Sequence, residues 1–241
     1  MKRLPPVLAV ALVLTLLGWP PSAVADSPGS PYSLELKIDL PVIALGAAFS
    51  LMALIEVPPP ECFPGCSSAR INALDRTALG NYSEGAHTVA DIAVASLLTL
   101  PVLLNAIDSR GAGWLEETVV FGETLLLAQA LTQLTKFAVR RNAPFVYDPN
   151  APEDAVQSRD ASRSFISGHT TMAFAATTAY SVTFWQRHPD SPMRWVVASL
   201  GAALSLGVGI LKIAAGYHFA TDVLAGALVG AGIGALVPAL H

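Results

Sequence analysis

Long apolar segments separated by short polar stretches run along most of the chain. A membrane-spanning helix needs about 20 mostly apolar residues. Six segments come near this length, over residues 40–55, 89–107, 114–137, 167–185, 193–215 and 219–240. The first is short and has Pro41 at its start, so either a full crossing or a re-entrant segment fits it. No alternation typical of strands appears, and the pattern predicts an all-α, multi-pass transmembrane bundle of about six helices.

The N-terminus predicts a signal peptide. A basic start, an apolar stretch at residues 7–17 and the small residues Ala23 and Ala25 are typical of secretory signals. An uncleaved anchor helix is the alternative. The predicted organisation is a signal peptide over 1–25, a linker with the first apolar segment and a cysteine-containing loop over 26–86, and a membrane domain over 87–241.

Composition agrees with a membrane location. Of the 241 residues, 53% are hydrophobic and 13% are charged, whereas soluble domains carry about 25% charged residues. The net charge of −4 gives no basic surface for nucleic acid. We therefore expect a bacterial-type inner-membrane protein whose partners are membrane lipids.

Two cysteines, Cys62 and Cys66, lie in a proline-rich loop. In the periplasm they would form a small disulfide loop, and in the cytoplasm they would be free thiols. No further cysteine and no nearby histidine complete a ligand set. We expect neither a metal nor a cofactor.

Some polar and small residues inside the apolar segments predict contacts between helices. Gly226, Gly230 and Gly234 recur at four-residue spacing, which lets helix backbones approach closely in a membrane. Glu123 and Asp91 lie within apolar segments, and we expect both to make structural hydrogen bonds between helices.

Three polar clusters stand out, at residues 136–144, 164–170 and 212–222. Counting membrane crossings places all three on the same face. The clusters supply positive charge from Lys136, Arg140, Arg141 and Lys212. Ser167 and the main-chain amides of Gly168 and His169 lie at a predicted helix N-terminus, where anions bind well.

The third cluster contains a histidine and an aspartate four residues apart, His218 and Asp222, which share a helix face. Asp222 would bind one imidazole nitrogen and leave the other nucleophilic. His169 would protonate a leaving oxygen. A nucleophile, an acid and a group of cations together predict phosphoryl transfer.

In order and spacing, these clusters resemble the motifs of the type-2 phosphatidic-acid phosphatase and vanadium haloperoxidase superfamily, K-x(6)-R-P, P-S-G-H and S-R-x(5)-H-x(3)-D. The resemblance implies a metal-independent lipid phosphate phosphatase. It implies that His218 forms a phosphohistidine, that Asp222 orients it and that His169 is the acid. The implied phosphate ligands are Lys136, Ser167, Gly168 and Lys212.

The chain departs from the family pattern at several positions. Ala143 replaces the arginine of the first motif, and we expect Arg141 to bind phosphate in its place. Ile166 replaces a proline, and Leu211 and Lys212 replace Ser-Arg. We expect reduced but real activity. An inactive relative that binds lipid phosphate or acts as a membrane scaffold is the main alternative. Vanadium-dependent halide oxidation is disfavoured because those relatives are usually soluble.

The side of the membrane depends on the first apolar segment. If residues 40–55 cross fully after a cleaved signal, the three clusters face the cytoplasm. If that segment re-enters, they face the periplasm, as is usual in the resembling family. We expect a periplasmic active site.

Overall fold

The structure, a computed structural model, describes residues 29–241, and its framework is six long α-helices. They are α1 (Leu36–Ser50), α2 (Glu84–Asp108), α3 (Trp114–Val139), α4 (Gly168–Arg187), α5 (Met193–Ala214) and α6 (Ala220–Leu240). Single helical turns in the connections are Leu51–Leu54, Asp75–Ala78, Pro144–Tyr147, Glu153–Val156 and Arg159–Ser162. Residues 29–241 contain no strand, and the predicted all-helical bundle is confirmed. The predicted signal peptide lies outside the described residues.

Four helical segments within residues 29–241 are long and apolar enough to cross a membrane. They are Leu36–Leu54, Glu84–Asp108, Met193–Ala214 and Ala220–Leu240. Large apolar side chains cover their outer faces, and Ile107 and Leu228 are 73% and 76% exposed. Extensive exposed apolar surface of this kind marks contact with lipid. Helices α3 and α4 carry more polar side chains, and α4 packs against α2, α3, α5 and α6 at the centre of the bundle.

Helix α1 begins earlier than the apolar pattern predicts. It starts at Leu36 and continues through the turn Leu51–Leu54, which gives 19 residues and is long enough for a span. The prediction began at residue 40 because Asp39 precedes it. Asp39 is nevertheless inside the helix and only 4% exposed. His241, directly after α6, lies 3.4 Å from its carboxylate.

The three glycines of α6 lie at a close approach to another helix, as predicted, and that helix is α4. A β-carbon at Gly226, Gly230 or Gly234 would come within 2.2–2.7 Å of a main-chain oxygen of α4 or of its N-cap residue. The closest approach is at Gly230, where the oxygen belongs to Thr171. Only glycine permits this spacing, so the glycines set how closely α4 and α6 pack.

The three polar clusters meet at one end of the bundle. They come from the end of α3, the start of α4 and the turn between α5 and α6. Main-chain hydrogen bonds tie them together: Ser164 N donates to the Arg141 carbonyl at 2.9 Å, and Ser167 N donates to the Asp222 carbonyl at 3.1 Å.

The loop before α2 packs on this same end. A disulfide joins Cys62 and Cys66. Gly216, in the turn between α5 and α6, has a φ of 80°. A β-carbon there would lie 2.0 Å from the Asn81 carbonyl oxygen. The loop therefore contacts the α5–α6 turn without any intervening side chain.

Candidate active site

His218 lies in the turn that leads into α6 and is 5% exposed. Its Nδ1 lies 2.8 Å from the main-chain oxygen of Ser164. A carbonyl can only accept, so Nδ1 carries a proton and Nε2 keeps its lone pair. Burial lowers the pKa of His218 below its ordinary value. The imidazole is therefore neutral near pH 7, as a nitrogen nucleophile must be.

Asp222 is fully buried in the first turn of α6. The sequence predicts a hydrogen bond from His218 to this carboxylate, but the two groups are 3.8 Å apart. Ser164 connects them instead: its carbonyl accepts from His218, and its hydroxyl donates to Asp222 Oδ2. The same oxygen accepts from the Phe219 amide at 2.8 Å. Ser164 therefore orients the histidine directly, a role that the motif pattern did not predict.

Arg141 occupies a different position from the predicted one. Its Nη1 donates to Asp222 Oδ1 at 2.5 Å and to Thr221 Oγ1 at 2.8 Å. Its Nη2 donates to Asp75 Oδ2 at 2.7 Å, and the guanidinium lies 4.1 Å from the centre of the Phe219 ring. The two buried carboxylates, Asp75 and Asp222, therefore hold the Arg141 guanidinium beside the first turn of α6. Arg141 therefore supports Asp222 instead of presenting its charge to phosphate.

Asp75 is a site residue that the sequence interpretation missed. It is fully buried and accepts hydrogen bonds from Arg141, from the Thr221 amide at 2.9 Å and from Asn72 at 2.7 Å. Burial alone would raise its pKa, but the hydrogen bonds from Arg141 and Thr221 hold it below the ordinary value. Asp75 lies in a polar loop outside the three motifs, so no sequence signal indicates it.

Of the other predicted phosphate ligands, Lys136 and Gly168 line a cavity, whereas Ser167 and Lys212 do not. Ser167 caps α4 through its hydroxyl. Lys136, Gly168 and His169 line a cavity of about 500 Å³. Within the described part of the chain, the Lys136 ammonium has no carboxylate within 4.0 Å. These groups can hold phosphate oxygens.

An acidic residue, Asp160, also lines this cavity. It is exposed, and it lies close enough to the basic groups for its pKa to respond to them. Desolvation raises that pKa, but Lys136, His218 and His169 together hold it below the ordinary value. The Asp160 carboxylate therefore lies in the same cavity as Lys136, which would also bind a phosphate group there.

Lys212 is fully buried and also differs from the prediction. Its Nζ lies 2.6 Å from Asp91 Oδ1 and 3.0 Å from His87 Nδ1. The same Asp91 oxygen lies 2.9 Å from His169 Nε2, and the His87 ring stacks on Tyr217 with centroids 4.0 Å apart. Asp91, expected only to join helices, is thus the shared partner of Lys212 and the predicted catalytic acid.

Position 143, where the first motif has an arginine, is occupied by a buried alanine. Ala143 is fully buried in an apolar cluster with Phe145 and Ala161. Arg163 is buried nearby, but its guanidinium donates to the main-chain oxygens of Ala53 and Ile55 at the end of α1. These residues add no guanidinium to the cavity.

Comparison with known proteins agrees with the motif resemblance. A model of the PAP2 superfamily matches residues 117–241. The chain is 27% identical over 166 residues to a lipid A 1-phosphatase from Porphyromonas gingivalis. That match covers 69% of this chain but only 33% of the relative, so the chain spans about a third of the relative's length.

A solved structure resembles the fold. It is the crystal structure described as the first transmembrane PAP2 type phosphatidylglycerolphosphate phosphatase, from Bacillus subtilis. The TM-score is 0.51 and the sequence identity is 20%. The match covers 83% of this chain and 94% of that chain. At this identity the likeness establishes the fold.

Proposed function

The chain belongs to the PAP2 superfamily, and we propose that it is a membrane phosphatase that hydrolyses a lipid-linked phosphate or diphosphate through a phosphohistidine at His218. One observation carries the proposal. The buried histidine lies at the same end of the bundle as a cavity lined by Lys136, Gly168 and His169. Asp160 lines that cavity, and Lys136 and then His218 contribute to lowering its pKa.

The first step forms the bond between His218 Nε2 and phosphorus. The Ser164 carbonyl accepts a hydrogen bond from Nδ1–H, which leaves the Nε2 lone pair available to attack phosphorus. The phosphorus–oxygen bond to the lipid breaks, and the leaving oxygen takes a proton from His169. Lys136 and the amides at the start of α4 stabilise the charge on the transferring group.

The second step releases phosphate. His169 takes a proton from water, the water oxygen attacks phosphorus, and the phosphorus–nitrogen bond to His218 breaks. Asp91 lies 2.9 Å from His169 Nε2 and stabilises the imidazolium form that each cycle passes through. The cycle returns both histidines to their starting protonation states and consumes one water.

Lipid phosphates are the substrate class that fits. The cavity is lined by Lys136 and His169 at the active-site end and by Val94 and Leu98 of α2, and the outer faces of the spanning helices are apolar. We infer that a lipid head group binds in the cavity while the acyl chains stay in the bilayer. A lipid A 1-phosphatase is among the proteins that this chain resembles. Phosphatidic acid, phosphatidylglycerophosphate, polyprenyl diphosphate and lipid A phosphates are the substrates to test.

A second candidate function is binding of lipid phosphate with little or no turnover. Arg141 and Lys212 are both held in internal ion pairs, and Ala143 is buried. The cavity thus has fewer available cations than the family pattern supplies. If the chain is an enzyme, we therefore expect its turnover to be lower than that of relatives that keep both arginines.

Phosphate release from this lipid panel in detergent or proteoliposomes tests the proposal. We expect His218→Ala to lose activity by on the order of 10²-fold or more, the usual contribution of such a group. His188→Ala is the matched control, since His188 pairs with Asp108 at the opposite end of the bundle. Vanadate should inhibit. Equal release by wild type and His218→Ala would contradict the enzyme proposal, and no release with retained phosphate binding would favour the second candidate.

We also propose that the active site faces the periplasm across a bacterial inner membrane. The disulfide Cys62–Cys66 lies on the active-site end, and disulfides persist in the periplasm but are rare in the cytosol. Because α1 is long enough to cross, this assignment puts residues 29–35 on the cytoplasmic side. An export signal over residues 1–25 would put them outside, so the two expectations are incompatible.

Cysteine labelling decides between these arrangements. In a Cys62→Ser, Cys66→Ser background, Asn150→Cys places a thiol at the active-site end and Asp190→Cys at the other, both at exposed positions. A membrane-impermeant maleimide applied to intact spheroplasts should label Asn150→Cys alone. Labelling of Asp190→Cys alone would place the active site in the cytoplasm.

A further inference from the structure

A second cluster of ionisable side chains lies at the end of the bundle opposite the proposed active site. It contains Asp39 from α1, Glu123 from α3 and His241 directly after α6. Helix α6 begins beside the active site and ends at this cluster, and its 21 residues span roughly 30 Å at about 1.5 Å per residue. The proposed phosphatase mechanism uses none of these three groups.

We propose that Asp39, Glu123 and His241 form a binding site for a divalent transition-metal ion such as Zn²⁺, which fastens α1 to α3 and α6. One ligand atom from each residue lies within 4.8 Å of the others. His241 Nε2 is 2.9 Å from Glu123 Oε2 and 3.4 Å from Asp39 Oδ1. Ligand atoms about 2.1 Å from a tetrahedral zinc ion lie roughly 3.4 Å from each other, so small shifts suffice for binding.

The histidine has the orientation of a metal ligand. His241 Nδ1 lies 2.9 Å from the main-chain oxygen of Val237, so Nδ1 carries the proton and donates it. In neutral imidazole, Nε2 then points its lone pair at two carboxylates, which is repulsive unless a cation lies between them. A histidine that ligates metal through one nitrogen commonly donates its other N–H to a carbonyl in this way.

The carboxylates have unsatisfied oxygens. Asp39 and Glu123 are 4% and 1% exposed. Among the described residues, Asp39 Oδ2 and Glu123 Oε1 are buried atoms with no hydrogen-bond partner. A buried, unpaired carboxylate oxygen is costly. A divalent ion with two carboxylates and a neutral imidazole has zero net charge, so one ion removes both the unpaired oxygens and the excess negative charge.

The cluster is accessible to an ion. Asp39, Glu123 and His241 line a cavity of about 300 Å³ together with Ser33 and Glu35. The cavity gives an ion a path to the site and leaves room for a water molecule as fourth ligand. Carboxylate and imidazole together suit zinc or manganese better than magnesium, which prefers oxygen ligands only.

Metal content and thermal stability test the site. The full chain is purified in detergent with a streptavidin-binding tag, since a polyhistidine tag would itself bind zinc, then loaded with ZnCl₂ and desalted. We expect one Zn²⁺ per chain by mass spectrometry. We also expect a rise of several degrees in the unfolding midpoint that EDTA reverses. Absence of bound zinc together with an unchanged midpoint would overturn the proposal. The three side chains would then be stabilised by a shared proton instead of a metal ion.

Variants locate the ion. His241→Gln and Glu123→Gln should each weaken Zn²⁺ binding more than the roughly 10- to 100-fold cost of losing an outer-shell partner. His241 is near the surface, so its substitution is the less disruptive for folding. His188→Gln is the matched control, because it removes a histidine from the same end of the bundle that pairs with only one carboxylate. Equal zinc content in His241→Gln and His188→Gln would place the ion elsewhere and refute the site.

Discussion

Replacing Arg141 by alanine tests whether this residue binds phosphate or supports Asp222. The guanidinium lies 2.5 Å from Asp222 and 2.7 Å from Asp75, and both carboxylates are fully buried. Removing one partner of a buried pair costs about 3–5 kcal/mol. Because the Arg141 side chain is 25% exposed, we expect the lower end of this range. About 3 kcal/mol corresponds to a fall of roughly 6–12 °C in the unfolding midpoint.

The kinetic effect follows from the same contacts. Asp222 reaches His218 through Ser164, so loss of Arg141 should disturb the orientation of His218, the proposed nucleophile. We expect kcat to fall by about tenfold or more, with a smaller change in KM, as for an interaction that acts on the transition state. A phosphate ligand would instead raise KM and leave stability nearly unchanged.

Unfolding and phosphate-release measurements on Arg141→Ala, Asp75→Asn and the double variant complete the test. We expect a coupling energy of about 0.5–3 kcal/mol between the two positions. Arg140→Ala is the matched control, because this neighbouring arginine is exposed and lies over the Phe137 ring. Wild-type stability of Arg141→Ala together with a raised KM would refute the supporting role.

Three further predictions concern the cavity, the packing and the nucleophile. Asp160→Asn should strengthen inhibition by inorganic phosphate roughly three- to tenfold, the size of a contact of about 1 kcal/mol, whereas the exposed neighbour variant Asp154→Asn should not. Gly230→Ala should lower the free energy of unfolding by about 1–3 kcal/mol through overpacking. The control Gly232→Ala, whose added β-carbon meets open space, should leave it nearly unchanged, and equal effects of the two substitutions would refute the close packing. Because burial lowers the pKa of His218, the acid-side fall of kcat/KM, where His218 becomes protonated, should have its midpoint below about pH 6.5, the ordinary histidine value. An acid-side midpoint above that value would contradict a neutral nucleophile.

Much of the fold could be predicted from the sequence, because apolar segments of membrane length have few other stable arrangements. A close approach of α6 to another helix was also predictable, since three glycines at four-residue spacing mark a face with no side chains, but the sequence did not identify α4 as that helix. The start of α1 was not, because Asp39 is buried against His241, and a partner some 200 positions away leaves no local signal.

The candidate site was predictable in its location but not in its internal pairing. The motifs place His218 and Lys136 at one end of the bundle, because chain order alternates membrane faces. The partners of Arg141 and Lys212 come from outside the motifs, Asp75 from a loop and Asp91 from α2. These ion pairs depend on tertiary geometry, so the sequence alone does not show which carboxylate pairs with Arg141 or Lys212.

Trapping of the phosphoenzyme tests the central claim most directly. The protein is mixed with a ³²P-labelled lipid phosphate, quenched in alkali and digested, and the labelled peptide is identified. The account predicts alkali-stable, acid-labile label on the peptide containing His218 in the wild type, and none in His218→Gln. Equal label in His218→Gln, or a wild type that releases phosphate from lipid without labelling that peptide, would contradict a phosphohistidine at this position.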